Sequence, residues 1–82
     1  MSLFKYIMIS KEGCVFCDYA RQLFELHDIE YKEFKLGVGI DQWQIDEQFP
    51  GFKTFPKIAK QYYASGKLEL IGGYTELREL LE

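Results

Sequence analysis

Two cysteines stand in this 82-residue chain, Cys14 and Cys17, separated by two residues in "CVFC" and followed at once by a run of helical periodicity. With the helix starting at Val15, Cys14 is its N-cap and Cys17 its third residue. The unpaired N–H groups and positive end of the helix then face the Cys14 sulfur and favour thiolate over thiol. Lys11 adds positive charge nearby, while Glu12 and Asp18 oppose it. Helical phase puts Cys14 on the polar side and Cys17 at the edge of the apolar stripe, beside Ala20 and Phe24. The chemistry this predicts is thiol–disulfide exchange. An exposed Cys14 attacks a disulfide and a shielded Cys17 resolves the mixed disulfide.

A structural disulfide and a zinc site are the rival uses of such a pair. A zinc site usually needs four ligands, and this chain offers two Cys and one His, so an intrachain site is disfavoured and a site shared between two chains stays formally open. A C-x-x-C inside a strand–helix–strand pattern is a stronger signal for redox chemistry than the motif alone. His27, on the apolar side near the helix end, reads as structural, for instance capping the last carbonyls. Trp43 reads as a core residue before it reads as a cover for a substrate.

Two further stretches carry chemistry. In "KTFPKI" a proline precedes a predicted strand, where it either simply starts the strand or forms a cis Phe55–Pro56 bond. The second arrangement leaves the Phe55 backbone open to a peptide-like partner. The general preference of X–Pro bonds, taken alone, favours trans. In "IGGYTEL", Gly72-Gly73 is a strand-to-helix turn that also admits a close backbone neighbour. Thr75 and Glu76 then open a helix whose N-terminus suits a carboxylate, with Glu76 placed to take an amine.

These residues must be positioned by short elements. Leu3–Ile9 is an apolar, partly β-branched run that reads as a buried strand. Val15–Asp28 is the clearest helix, with Phe16, Tyr19, Ala20, Leu23, Phe24, Leu26 and His27 on one side. Ile29–Leu36 alternates apolar and polar residues as a second strand, with Ile29, Tyr31 and Phe34 on the apolar side. Asp41 with Gln44 resembles a capping box and opens a short helix over Gln42–Phe49, which Pro50-Gly51 ends. Lys57–Tyr63 and Lys67–Ile71 flank "ASG" as a hairpin, and Thr75–Leu81 closes the chain as a helix on Leu77, Leu80 and Leu81. The order β-α-β-α-β-β-α demands a right-handed parallel crossover at its start and an antiparallel hairpin at its end. It predicts a four-stranded mixed sheet with helices on both faces, as one domain spanning residues 1–82.

Composition bounds the rest. Apolar residues make up 48% of the chain, enough for a packed core, which argues against disorder. A formal net charge of −3 with no basic patch argues against nucleic acid. No apolar run reaches the ~20 residues of a bilayer span. "MSLFKYIMIS" has neither the basic start nor the cleavage site of an export signal. A cytoplasmic, monomeric protein is expected, and in that reducing setting a close cysteine pair points away from a structural disulfide.

Lys11 ahead of "CVFC", then "KTFP", then "IGGYTEL", in this order and with these elements between them, resemble the glutaredoxin family over nearly the whole chain. The resemblance implies a thioredoxin-like fold and a redox-active Cys14/Cys17 dithiol that reduces protein disulfides and glutathione mixed disulfides. Glutathione then serves as the reducing co-substrate, and no cofactor or metal is bound. It implies Cys14 as nucleophile and Cys17 as resolving thiol. Lys11 would meet the glycine carboxylate of glutathione, and Phe16 takes the place of a usual tyrosine beside the site. Phe55, within Thr54-Phe55-Pro56, would offer its backbone to the cysteinyl part, with Pro56 as a cis-proline. Gly73, Thr75 and Glu76 would hold the γ-glutamyl end. Val15 and Phe16 depart from the family's usual Pro-Tyr, Glu76 from its common Asp, and the hairpin after Pro56 is longer than usual. Short members with related sites make ribonucleotide reductase a partner by analogy, in electron transport and cell redox homeostasis. Two other readings are kept: a redoxin reduced by thioredoxin reductase, and a non-catalytic binding module carrying the fold.

Overall fold

The apolar run near the N-terminus forms the strand on which the rest is built. In the computed structural model, which describes residues 2–82, the elements are β1 (Phe4–Ser10), α1 (Val15–Leu26), β2 (Tyr31–Lys35), α2 (Gln42–Gln48), β3 (Lys57–Tyr62), β4 (Leu68–Gly72) and α3 (Tyr74–Leu81). The strands lie in the order β2-β1-β3-β4, with β1 parallel to β2 and antiparallel to β3, and β3 antiparallel to β4. This is the expected thioredoxin-like arrangement of a mixed sheet with three helices. Among the described residues, no helix is long and apolar enough to cross a membrane.

β1 reads as continuously apolar because it is buried on both faces. Tyr6 and Met8 face one layer with Ala20, Leu23 and Phe24 of α1 and Leu77 of α3. Ile7 and Ile9 face the other with Ile45 of α2 and Phe49. The strand runs one residue beyond the expected end. Ser10 pairs with Lys35 in the β1–β2 register, and its carbonyl accepts the Leu36 N–H at 2.8 Å.

The stripe that α1 buries is narrower than its apolar side suggests. Cys17, Ala20, Leu23 and Phe24 are buried, while Phe16, Tyr19 and Leu26 stay at the surface. The helix also ends two residues short of Asp28. Asp28 takes a left-handed conformation (φ 53°), its N–H donates to the Glu25 carbonyl, and the Ile29 N–H donates to the Phe24 carbonyl at 2.9 Å. This is a Schellman closure, with Asp where glycine is the usual signal. The His27 backbone caps the helix, and its ring lies 3.9 Å from the Glu82 carboxylate.

Three other apolar assignments change. Phe34 joins the α2 layer and not the layer of Tyr31, because residues three apart on a strand face opposite ways. Trp43 is exposed, against its reading as core. Ile45 and Phe49, four apart, share the inward face of α2, and Trp43 lies well round from it. Leu80 is exposed in the same way, while Leu77 is fully buried as expected. The Asp41–Gln44 pairing does form, the Gln44 side chain accepting the Asp41 N–H at 2.9 Å.

α1 is fastened to β2 by a polar network. Arg21 donates through Nε and Nη2 to both carboxylate oxygens of Glu33 (2.9 and 2.7 Å), and the buried Ser10 hydroxyl donates to Glu33 at 2.6 Å. Arg21 also pairs with Asp18. The Arg21 hydrogen bond holds the Glu33 carboxyl below its ordinary value, against the opposing effect of burial and with help from Ser10. The unfolded chain therefore binds this proton more readily than the folded one, and the contribution of Glu33 is complete above about pH 4.5 and lost on acidification below it. Thermal melts between pH 7 and 3 are expected to show this loss. Glu33→Gln is expected to flatten it and to cost about 1–2 kcal/mol at pH 7. An unchanged acid slope in the variant would contradict the assignment.

Candidate active site

β1 delivers the chain to the cysteine loop, and α1 begins on its far side. Cys14 caps α1 from an extended conformation (φ −99°, ψ 105°), and its Sγ accepts the Cys17 N–H at 3.1 Å. The free N–H of the first turn is thus aimed at this sulfur, as the sequence predicts. Cys14 and Cys17 are joined as a disulfide with their Cα atoms 5.2 Å apart. Cys14 is half-buried, whereas Cys17 is 1% exposed and belongs to the inward stripe of α1. The pair is thus asymmetric: Cys14 keeps part of its surface in solvent and Cys17 keeps almost none.

The two acids expected to oppose a thiolate are each drawn aside. Glu12 pairs with Lys35 across the start of the loop, and that contact lowers its pKa. Asp18 pairs with Arg21. Lys11 is exposed, and its ammonium lies 5.3 Å from the centre of the Phe55 ring. Phe16, 54% exposed, packs with Tyr19 and Tyr74 at ring separations of 5.8 and 6.1 Å and extends an aromatic surface from the cysteine loop to α3.

The Phe55–Pro56 bond is cis, against the general preference for trans. Pro56 is buried immediately before β3, and among the described residues the Phe55 backbone groups take no backbone partner. A cleft of about 230 Å³ lies alongside, lined by Phe52, Thr54, Pro56, Gly72, Gly73 and Glu76. Four of the sequence candidates, Thr54, Pro56, Gly73 and Glu76, therefore meet in one place. Lys11, Phe16, Phe55 and Thr75 do not line this cleft. A larger concavity of about 570 Å³ lies at the opposite ends of β1 and β2, near Phe4, Tyr31 and Tyr63, and neither cysteine lines it.

The glycine turn is shaped by the chain itself. A Cβ on Gly73 would lie 3.4 Å from the Pro56 carbonyl oxygen, so the close backbone neighbour is the proline loop. Glu76 folds back over Gly72, and its Oε1 accepts the Gly73 N–H at 2.7 Å. Gly72 has φ +136°, and a Cβ there would sit 2.6 Å from the Glu76 side chain, so the position admits only glycine without displacing Glu76.

Sequence reasoning missed Lys57. It is 2% exposed, and its ammonium donates to the carbonyls of Phe52 (2.8 Å) and Thr54 (3.0 Å) and lies 4.4 Å from the centre of the Phe55 ring. Burial lowers its pKa, Asp46 opposes that, and Lys11 adds to it. Strand alternation carried a usable signal: Ala59, two residues on, is an inward core residue of the α2 layer, which puts Lys57 on the same face.

No family model matches the chain, and no curated protein matches its sequence. Among solved structures, glutaredoxin 1 of Francisella tularensis, crystallised with cacodylate, superimposes with a TM-score of 0.65 at 26% identity, covering 93% of this chain and 90% of its own. The solution structure of glutaredoxin from Brucella melitensis superimposes with a TM-score of 0.69 at 24% identity, covering 98% of this chain and 80% of its own.

Proposed function

We propose that this chain, a glutaredoxin-like thiol–disulfide oxidoreductase by its fold and its C-x-x-C pair, takes its electrons from glutathione and reduces protein disulfides and glutathione mixed disulfides. The observation that carries the reading is the asymmetry of the pair: a half-buried Cys14 at the helix N-cap, its Sγ 3.1 Å from an N–H donor, beside a buried Cys17. In the reduced protein the Cys14 thiolate attacks a substrate disulfide. A Cys14–substrate disulfide forms, the substrate's own S–S bond breaks, and the departing thiolate takes a proton from water. Cys17 gives up its proton and attacks Cys14, which releases the second substrate thiol and forms the disulfide of the present structure. One glutathione then opens that disulfide at Cys14, and a second removes the first as glutathione disulfide. Two electrons are transferred in each half of the cycle.

The residues around the thiols would bind the glutathione. Lys11 would meet its glycine carboxylate, with Phe16 alongside. The Phe55 backbone, between Thr54 and Pro56, would pair with its cysteinyl part. Gly73, Thr75 and Glu76 would take the γ-glutamyl end. We place the protein in a reducing cytoplasm as a monomer acting on disulfide proteins, ribonucleotide reductase among them.

One observation favours the second reading, a redoxin served by thioredoxin reductase. The Gly73 N–H, which a γ-glutamyl carboxylate would seek, already donates to Glu76. Turnover of a protein disulfide with either glutathione plus glutathione reductase or thioredoxin reductase as sole reductant separates the two. Glutathione is expected to sustain turnover. Turnover with thioredoxin reductase alone would replace the first reading by the second.

A further inference from the structure

Lysine is almost never fully buried without an acidic partner. Among the described residues, no carboxylate lies within ion-pair distance of Lys57. The cation is met by two main-chain oxygens of the loop before β3 and by the Phe55 ring. Burying a charge in this way is costly, and an apolar side chain of similar length would fill the space at less cost. The arrangement has a directional effect on the loop. A trans peptide plane carries its C=O and the following N–H on opposite sides. The only cis bond among the described residues is Phe55–Pro56, so the Thr54–Phe55 plane is trans. With the Thr54 carbonyl held by the Lys57 ammonium, the trans plane points the Phe55 N–H the opposite way, and among the described residues it has no backbone partner.

We propose that Lys57 is a positioning residue for substrate recognition: by holding the Phe52 and Thr54 carbonyls it aims the Phe55 N–H at the main chain of the disulfide-bearing segment that Cys14 attacks. This rests on the reading of Cys14 as the attacking thiol beside that loop, and it is indifferent to whether glutathione or another thiol resets the site. The partner is recognised by a backbone carbonyl next to its cystine, in the manner of a strand added at an open edge. Lys11, itself exposed, holds its ammonium 5.3 Å from the centre of the same ring.

The test uses a cystine-containing peptide disulfide with dithiothreitol as reductant, so that glutathione plays no part. Lys57→Met keeps length and removes the donors; Lys57→Gln restores amide donors. Lys57→Met is expected to raise the peptide KM about tenfold, the scale of a lost recognition hydrogen bond, with kcat within about twofold. Lys57→Gln is expected to recover part of the loss. Alkylation of reduced Cys14 by iodoacetamide, which has no peptide backbone to be recognised, is expected to be unchanged. An unchanged KM in folded Lys57→Met, or an alkylation rate that falls in step with activity, would overturn the proposal. Should Lys57→Met fail to fold, amide hydrogen exchange on a Cys17→Ser protein decides. The Phe55 N–H is expected to exchange fast when free and to become protected once the peptide is trapped on Cys14, and absence of that protection would overturn the proposal. Failure of the unaltered protein to reduce the peptide at all would remove the oxidoreductase reading, and this inference with it.

Discussion

Cys14→Ser is expected to bring disulfide reduction down to the uncatalysed rate, a loss of at least about a thousandfold, the scale on which removal of a nucleophile is felt. A serine hydroxyl at the same N-cap is not ionised near neutral pH and is a poor nucleophile toward sulfur. It would still accept the Cys17 N–H and cap α1, because serine is among the preferred N-caps, so stability should hold. Cys17→Ser is expected to behave differently. It removes the internal resolving step and leaves the attacking sulfur in place, so reduction of a glutathione mixed disulfide should persist in part when an external thiol completes the cycle. Both variants are checked in one coupled assay, with denaturant melts alongside. Equal, full activity in the two would contradict the roles drawn from the 1% exposure of Cys17 and the accessibility of Cys14.

Phe24→Ala carries the largest expected effect on stability. Phe24 is 0% exposed, stacks on Tyr31 with ring centres 4.4 Å apart, and meets Tyr6 at 5.4 Å. It therefore joins α1 to β1 and β2 at one point. Replacing a fully buried Phe by Ala usually costs about 3–5 kcal/mol, through lost transfer energy and the cavity left behind. A chain of this size commonly has only about 4–12 kcal/mol in total. The variant should therefore sit near its unfolding threshold, with a marked drop in the denaturant midpoint and little change in slope. A loss under about 1 kcal/mol would show that Tyr6 and Tyr31 close over the space.

Elements governed by a strong period were legible in the sequence. β1 could be read from an unbroken apolar run, α1 from a 3.6-residue repeat, and β3 and β4 from two runs flanking a short turn. The placement of Cys14 at the cap and of Cys17 in the buried stripe followed from helical phase alone, because an N-cap and the third helical residue have fixed relations to the helix axis. What could not be read depended on which groups the folded chain brings together. Glu33 is one polar residue among several in β2, and only the parallel pairing of β1 with β2 brings it to Ser10 and Arg21. Lys57 looked like an ordinary charged strand residue, since nothing local shows that two carbonyls upstream will turn onto it. Trp43 and Leu80 were misplaced because hydrophobicity says which residues favour burial, while the number of faces a short helix can cover decides which of them obtain it. The end of α1 was hidden because Asp28 does the work usually signalled by glycine.

The uneven accessibility of the two sulfurs has a further consequence for traffic through this protein. If the chain works as proposed, with Cys14 as the one sulfur met from outside, whatever arrives to be reduced and whatever arrives to restore the thiols must dock at the same atom, in turn. No ternary encounter is open to such a centre. Its kinetics must alternate between two forms of the protein, and an excess of either visitor must crowd out the other.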